Sequence, residues 1–287
     1  MLSAHINPPK WMIDNIMFEG LTGSVAYGVS NDTSDMDIIG FCIPPKEYIF
    51  PHLSGNIHGF GTLPPSFEQF QQHHIKHNAK EYDITIYSII KFFQLVMENN
   101  PNMVDALFLP RRCVLHSTPI YEHVRENRTM FLHKGSWHKF RGYAYSQLSK
   151  IKSKSNASNP KRQASIDEFG YDVKFAYHVC RLLLEVEQIM SEGDLNLECN
   201  SDILKSIRRG EWSLEKLDQW FDNKEKALEL MYSTSTLQHK PNEQKIKGLL
   251  MECLEMHYGS LSAVIHVEPS MSNLLSDMQV LLDKYTN

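Results

Sequence analysis

The chain holds no C-x-x-C pair; its five cysteines stand apart at 42, 113, 180, 199 and 253. That spacing excludes a zinc ribbon, and an odd count in a chain of 287 residues argues against a disulfide framework, so reduced thiols are expected. Long apolar runs are also missing. The longest are a handful of residues, far short of the ~20 needed to cross a bilayer as a helix. The opening MLSAHINPPKW has no charged stretch leading into an apolar one, as a secretory signal would. Basic excess is absent as well, since the formal net charge is −5 with His neutral. Contact with a polyanion must then come from a local patch rather than a global field. No internal repeat and no heptad pattern is visible. The expectation is a soluble cytoplasmic protein without a membrane partner.

What is present suffices for a core: 42% of residues are apolar and 22% charged. Pro8-Pro9 before Lys10–Phe18 reads as the start of an opening helix. Gly20–Gly23 reads as a short strand running into a turn. Asp37–Pro44 is an apolar run closed by Pro44-Pro45, as a buried strand would be. The Gly- and Pro-rich stretch 55–65 reads as a loop with a short strand near Ile57–Phe60. Tyr82–Ile86 alternates polar Asp83 and Thr85 with Ile84 and Ile86, the period of a half-buried strand. Ile89, Ile90, Phe93, Val96 and Met97 then follow at helical spacing, until Asn99-Asn100-Pro101 stops them. Pro101 to Phe108 reads as core and turn. From about Ser136 the pattern is helical, over Trp137–Lys152, Tyr171–Ser191, Ser213–Tyr232 and Glu243–Tyr258. The polar, basic stretch Ser153–Arg162 reads as a mobile loop. These readings predict an α+β fold, with a mixed sheet and helices over residues 1–135 and an all-α part over 136–287.

One constellation carries chemistry. Gly23-Ser24 sits where a strand turns towards a short helical start; glycine lets backbone approach a ligand, and the following N–H groups suit phosphate oxygens. Asp35-Met36-Asp37 enters the strand behind it. Residues i and i+2 of a strand share a face, so both carboxylates project together. Paired acids raise one another's pKa unless a cation lies between them. Oxygen ligands with open positions suit Mg²⁺ shared with substrate phosphates. Chemistry with two metals calls for a third acid. Asp83 qualifies on its separate strand, with Glu81 on the same face as its rival. Taken singly, each element has a plainer reading: a turn, a capped strand, a surface acid.

Gly-Ser, Asp-x-Asp on a strand and a distant strand Asp together resemble the polymerase-beta nucleotidyltransferase superfamily. More narrowly, the chain is similar to the RNA-repair-pathway polymerase-beta-like nucleotidyltransferases often encoded by phages and bacteria. Five segments in order carry the likeness: GSVAYG (23–28), SDMDIIG (34–40), YDITIYSIIKFF (82–93), NNPNMVDALF (99–108) and GYDVKFAYHVCRLL (170–183). The resemblance implies a mixed sheet flanked by helices, and a helical C-terminal domain closing over the nucleotide. It implies that Gly23 and Ser24 hold the triphosphate of an NTP and that Asp35 and Asp37 bind both metals, Mg²⁺ or Mn²⁺. Asp83 would complete the metal site and help deprotonate the attacking hydroxyl. The acceptor implied by the family is an RNA end, with a protein side chain or small molecule as alternatives. A phage-encoded member would act in the host cytoplasm. The competing reading is an antitoxin-like regulator that binds NTP without transferring it, for which Asp83 would have no use.

Farther along, Lys174, His178 and Arg181 fall on one helix face, either to neutralise triphosphate charge or as a solvated basic stripe. Tyr171 and Asp172 are candidate contacts to base or ribose. Lys150, Lys152, Lys154, Lys161 and Arg162 would suit RNA if they flank the cleft, or else belong to a solvated loop. His73, His74 and His77 have helical i, i+4 spacing but no acidic or cysteine partner at zinc-site spacing, which leaves them a surface or substrate-contact role.

Overall fold

The computed structural model describes residues 6–30, 36–63, 66–78, 80–152 and 160–261, together with 278, 279 and 281. Asp35 and residues 153–159 of the stretch Ser153–Arg162 expected to be a mobile loop, Lys154 among them, lie outside the described residues, as do the side chains of Lys152 and Lys161; residues 160–162 open a helix instead.

A five-stranded mixed sheet organises the first half, in the order β3-β4-β2-β1-β5. Its strands are β1 (Ile16–Leu21), β2 (Met36–Cys42), β3 (Gln69–His77), β4 (Lys80–Ser88) and β5 (Val114–Ser117). Only β2 and β4 run parallel; the remaining neighbours are antiparallel. Period-2 alternation sorts the residues onto two faces. One face carries Ile38, Cys42, Ile84 and Ile86, which bury against Met12, Ile16 and Ile75. The other carries Phe18 and Phe41, which join the large core shared with the helices.

Among the described residues, four α-helices lie within this half: α1 (Lys46–Ile49), α2 (Ile89–Met97), α3 (Pro101–Leu107) and α4 (Pro119–Glu126). The Ser88 hydroxyl caps α2 by accepting the Lys91 N–H. The helical part follows as α5 (Gly135–Lys152), α6 (Pro160–Phe169), α7 (Val173–Glu192), α8 (Ser201–Arg208), α9 (Leu214–Thr234) and α10 (Glu243–Tyr258). Helix α7 is its axis, burying thirteen residues between Ala176 and Met190. Lys150 near the end of α5 lies over Phe175 near the start of α7, while Lys134 just before α5 bonds to Gln238, whose neighbour Leu237 sits by Gly193 at the end of α7, so α5 runs antiparallel to α7. Helix α10 packs back on α2 and α4. None of the helices among the described residues is long and apolar enough to cross a membrane.

Three expectations are corrected. Lys10–Phe18 is not a helix: it makes a turn, a 3-10 turn at Ile13–Asn15, and then β1. Ile16 to Phe18 are needed in the centre of the sheet between β2 and β5, and that pairing outweighs a proline-led helix start. The segment holding His73, His74 and His77 is strand β3 rather than helix; a regular strand would put i and i+4 on one face, but the bulge between Gln72 and Ile75 shifts the register between His73 and His77. Pro101 to Phe108 is helix α3, because the proline that ends α2 also serves as the first residue of the next helix.

Candidate active site

The loop between β1 and β2 starts the site. At Thr22 both the N–H and the hydroxyl donate to the Asp37 carbonyl, at 2.8 and 3.3 Å, which ties the loop to β2. Gly23 then turns with φ +65°, a left-handed conformation that L side chains rarely adopt. A Cβ placed on it would stand 2.7 Å from Asp37 Oδ2. Glycine is thus required twice, by the turn and by the carboxylate pressed against it. Ser24 and Val25 complete a 3-10 turn, closed by the Ala26 N–H on the Gly23 carbonyl at 3.1 Å and the Val29 N–H on that of Ser24 at 3.0 Å. The first N–H groups of such a turn have no acceptor inside it.

Asp37 sits on β2 directly opposite Asp83 in the parallel β4. Their neighbours Ile38 and Ile84 point to the buried face, so both carboxylates emerge on the other. Register therefore separates the two rival acids. Glu81 lies two residues before the pairing position, and its carboxylate hydrogen-bonds to His74 Nδ1. Asp83 is also held from the edge strand. A bulge between Gln72 and Ile75 puts His74 at φ 57°, and its N–H donates to Asp83 Oδ1 at 2.9 Å. His73 Nδ1 lies 3.3 Å from Asp83 Oδ2. A non-glycine residue with positive φ in an edge-strand bulge is local strain of a kind that clusters at functional sites.

A cavity of about 280 Å³ opens over these groups. Thr22, Gly23, Ser24 and Asp37 line one side, with Ile39, Thr85, His73 and Asp83 beside them. Asn102 and Asp105 of α3 and Tyr177, His178 and Arg181 of α7 line the other. Strand ends, α3 and the helical part thus converge on one cleft.

At its floor lies a buried polar network. Arg181 Nη1 donates to Asp105 Oδ2 at 2.5 Å and to the Tyr27 hydroxyl, which in turn donates to Asp105. Glu185, one turn farther along α7, puts a second carboxylate oxygen 3.7 Å from the same guanidinium nitrogen. Burial raises both carboxyls, most strongly Glu185, while Arg181 opposes the rise in each. Two acids facing one cation favour keeping one proton between them. Burial would strip a proton from Arg181, but Glu185, Tyr27 and Asp105 hold it firmly charged. The guanidinium expected to meet a triphosphate is therefore already committed to Asp105.

Along α7 the expected basic stripe descends into the cleft: Lys174 is exposed, His178 lines the wall and Arg181 is buried. Burial, then the cations Arg181 and Lys174, push His178 well below the ordinary histidine range. It is a neutral hydrogen-bonding group, and Lys174 is the member of the stripe with a solvent-exposed charge. Tyr171 is buried, its hydroxyl donating to the Trp212 carbonyl at 2.6 Å. Asp172 caps α7 by accepting the Lys174 and Phe175 N–H groups at 2.9 and 3.3 Å. These two residues hold the helix start in place rather than lining the cavity. Lys150 and Arg162 both lie over the Phe175 ring.

Asp105 went unread in the sequence, although a single acid inside the apolar run Met103–Leu109 signals a buried carboxylate in need of a partner. Tyr27 was inside a recognised motif without a role. His73 was left with a surface or substrate-contact role, for want of an acidic or cysteine partner at zinc-site spacing.

The model of the RNA repair pathway DNA polymerase beta family matches residues 4–253. Among curated proteins no relative matches the chain. A solved nucleotidyltransferase-like protein from Exiguobacterium sibiricum aligns at 10% identity over 86% of this chain and 76% of its own, with a TM-score of 0.28.

Proposed function

Because the chain belongs to the RNA repair pathway DNA polymerase beta family, we propose that it transfers a nucleoside monophosphate from an NTP to a hydroxyl acceptor, with an RNA end as the favoured acceptor. The observation that carries this reading is the placement of Asp37 and Asp83 side by side across parallel strands, on the wall of a cleft that Gly23 leaves open.

The donor set fits Mg²⁺ or Mn²⁺. Both carboxylates are hard oxygen ligands from rigid strands, and an oxygen-rich, open site suits a cation shared with phosphates. Asp37 and Asp83 would hold it, with Asp35 as the further ligand that the family likeness implies. When bound, the metal supplies charge for the phosphates and a more acidic acceptor hydroxyl. Everything else falls to the chain. Gly23 and Ser24 seat the triphosphate; Lys174, exposed one turn before His178, adds positive charge. The acceptor oxygen forms a bond to the α-phosphorus as the bond to the bridging oxygen breaks and pyrophosphate leaves. The hydroxyl proton passes to the Asp83 carboxylate, which His73 and the His74 N–H hold in line. A regulator that merely binds NTP needs no second carboxylate opposite Asp37.

The test is incubation with Mg²⁺ and each α-labelled NTP, with and without RNA. Label appearing in RNA is the expected result; label in the protein itself would move the acceptor to a side chain. NTP bound with no label transferred to anything would overturn transfer in favour of a regulator. Asp37→Asn is expected to abolish labelling while its circular dichroism and Tm stay near the parent's.

A further inference from the structure

The loop carrying Gly23 and Ser24 is gripped from behind by residues far away in the chain. Arg112, in the 3-10 turn before β5, donates from Nη2 to the Val25 carbonyl at 2.9 Å and to that of Ala26 at 3.4 Å. Arg208, in the last turn of α8, donates from Nη1 to the Val29 carbonyl at 2.8 Å. Arg112 is itself fixed by Glu198, whose Oε1 accepts from Nε at 3.0 Å and from Nη2 at 2.7 Å. Glu198 lies in the link between α7 and α8. The loop is thus clasped by one residue of the sheet half and two of the helical part.

We propose that Glu198 and Arg208 are positioning residues, through which the helical part sets the geometry of the nucleotide loop and hence its affinity for NTP. The inference rests on the nucleotidyl-transfer reading of the cleft. A trans peptide is planar, so a guanidinium that fixes one carbonyl also fixes the direction of the next N–H. The clasp acts on Val25, Ala26 and Val29, while Thr22 is tied to β2 and Tyr27 is plugged into the buried network. Between those anchors Gly23 has no slack, with Asp37 Oδ2 already at 2.7 Å from where a Cβ would be. Small shifts of the loop therefore change the space available to phosphate. Arg208 reaches the cleft a second way, since its guanidinium lies over the ring of Tyr177, a cleft residue.

A simple stabilising role is a poor account of Glu198. Arg112 and Glu198 are each nearly half exposed, and exposed ion pairs add little to stability. What the pair does is fix the Nε and Nη2 edge of Arg112 on Glu198 so that Nη2 also reaches two carbonyls, a geometry that a flexible lysine does not reproduce.

The test measures equilibrium binding of MgATP and the other Mg-NTPs to the full chain, steady-state transfer, thermal melting, and amide hydrogen exchange of the segment 22–30. Glu198→Ala and Arg208→Ala are the variants, with Glu198→Asp as the conservative partner. Expected are about tenfold weaker NTP binding with a matching rise in KM, kcat within about threefold, faster exchange in 22–30, and a near-parental Tm, the split that ground-state positioning predicts. Glu198→Asp should recover part of the affinity. Parental NTP affinity and parental exchange in both alanine variants would overturn the proposal, as would a fall in kcat alone. If the parent chain binds no NTP, the nucleotidyl reading fails instead, and the exchange of 22–30 still decides whether the clasp sets the loop.

Discussion

Gly23 leaves room for one carboxylate oxygen and little else. A methyl group there would meet Asp37 Oδ2 and would also force an L residue into a left-handed turn, which by itself costs about 1–2 kcal/mol. Gly23→Ala is expected to lower transfer by roughly 100-fold, as misplacement of reacting groups does. A melting curve alongside the kinetics checks that the fold persists. The acids make a sharper pair of predictions. Asp83 faces Asp37 in register, whereas Glu81 is occupied by His74. Asp83→Asn should reduce labelling to background, and Glu81→Gln should retain most of it. The reverse ranking would transfer the role to Glu81. Sequence pattern put both acids on one face; strand register alone separates them.

Among the elements, β4 was readable because Ile84 and Ile86 alternate with polar residues, and α7 because its apolar positions recur at helical spacing. Strand β3 was not. It is an edge strand in which Ile75 is the only buried residue, so it has no apolar face for a pattern to reveal. The polar face of α7 was visible, but not what it meets: Asp105 stands 76 residues before Arg181. That pairing yields a contrast. Arg181→Ala leaves a buried carboxylate uncompensated and is expected to cost about 3–5 kcal/mol in urea unfolding. Glu185→Gln replaces an acid that burial drives towards its neutral form by a neutral amide. It should be tolerated near neutral pH and compare more favourably with the parent as pH rises. The sign follows from the raised pKa: stability from protonated Glu185 is fully present below the unfolded value of 4.5 and is lost as pH climbs through the folded one. A Glu185→Gln variant as unstable as Arg181→Ala would contradict a shared proton.

At the scale of the molecule, burial lowers three histidines: His133 beside Met97, His178 on the cleft wall and His257 near the end of α10. Each is kept neutral in the fold at a pH where the unfolded chain, with pKa about 6.5, takes up a proton. Their stabilisation is present above about 6.5 and is lost as pH falls towards the folded values. For His178 the check is a Tm series from pH 7.5 to 5.5 on the parent and on His178→Gln. The parent's Tm minus the variant's should shrink as pH falls; a difference that grows would reverse the sign.

From sequence alone came what local pattern and motif order encode: the strands around Asp37 and Asp83, the helices after residue 135, and the kinship read from five short segments. Those features depend on residues near one another in the chain, where side-chain period and turn chemistry are explicit. The tertiary structure decided the rest: that Asp83 rather than Glu81 faces Asp37, that the charge of Arg181 is held by Asp105 and Tyr27, and that Arg112 and Arg208 grip the loop after Gly23. Strand register and the burial of a charge are settled by partners 46 to 179 residues away, and no local pattern carries that information.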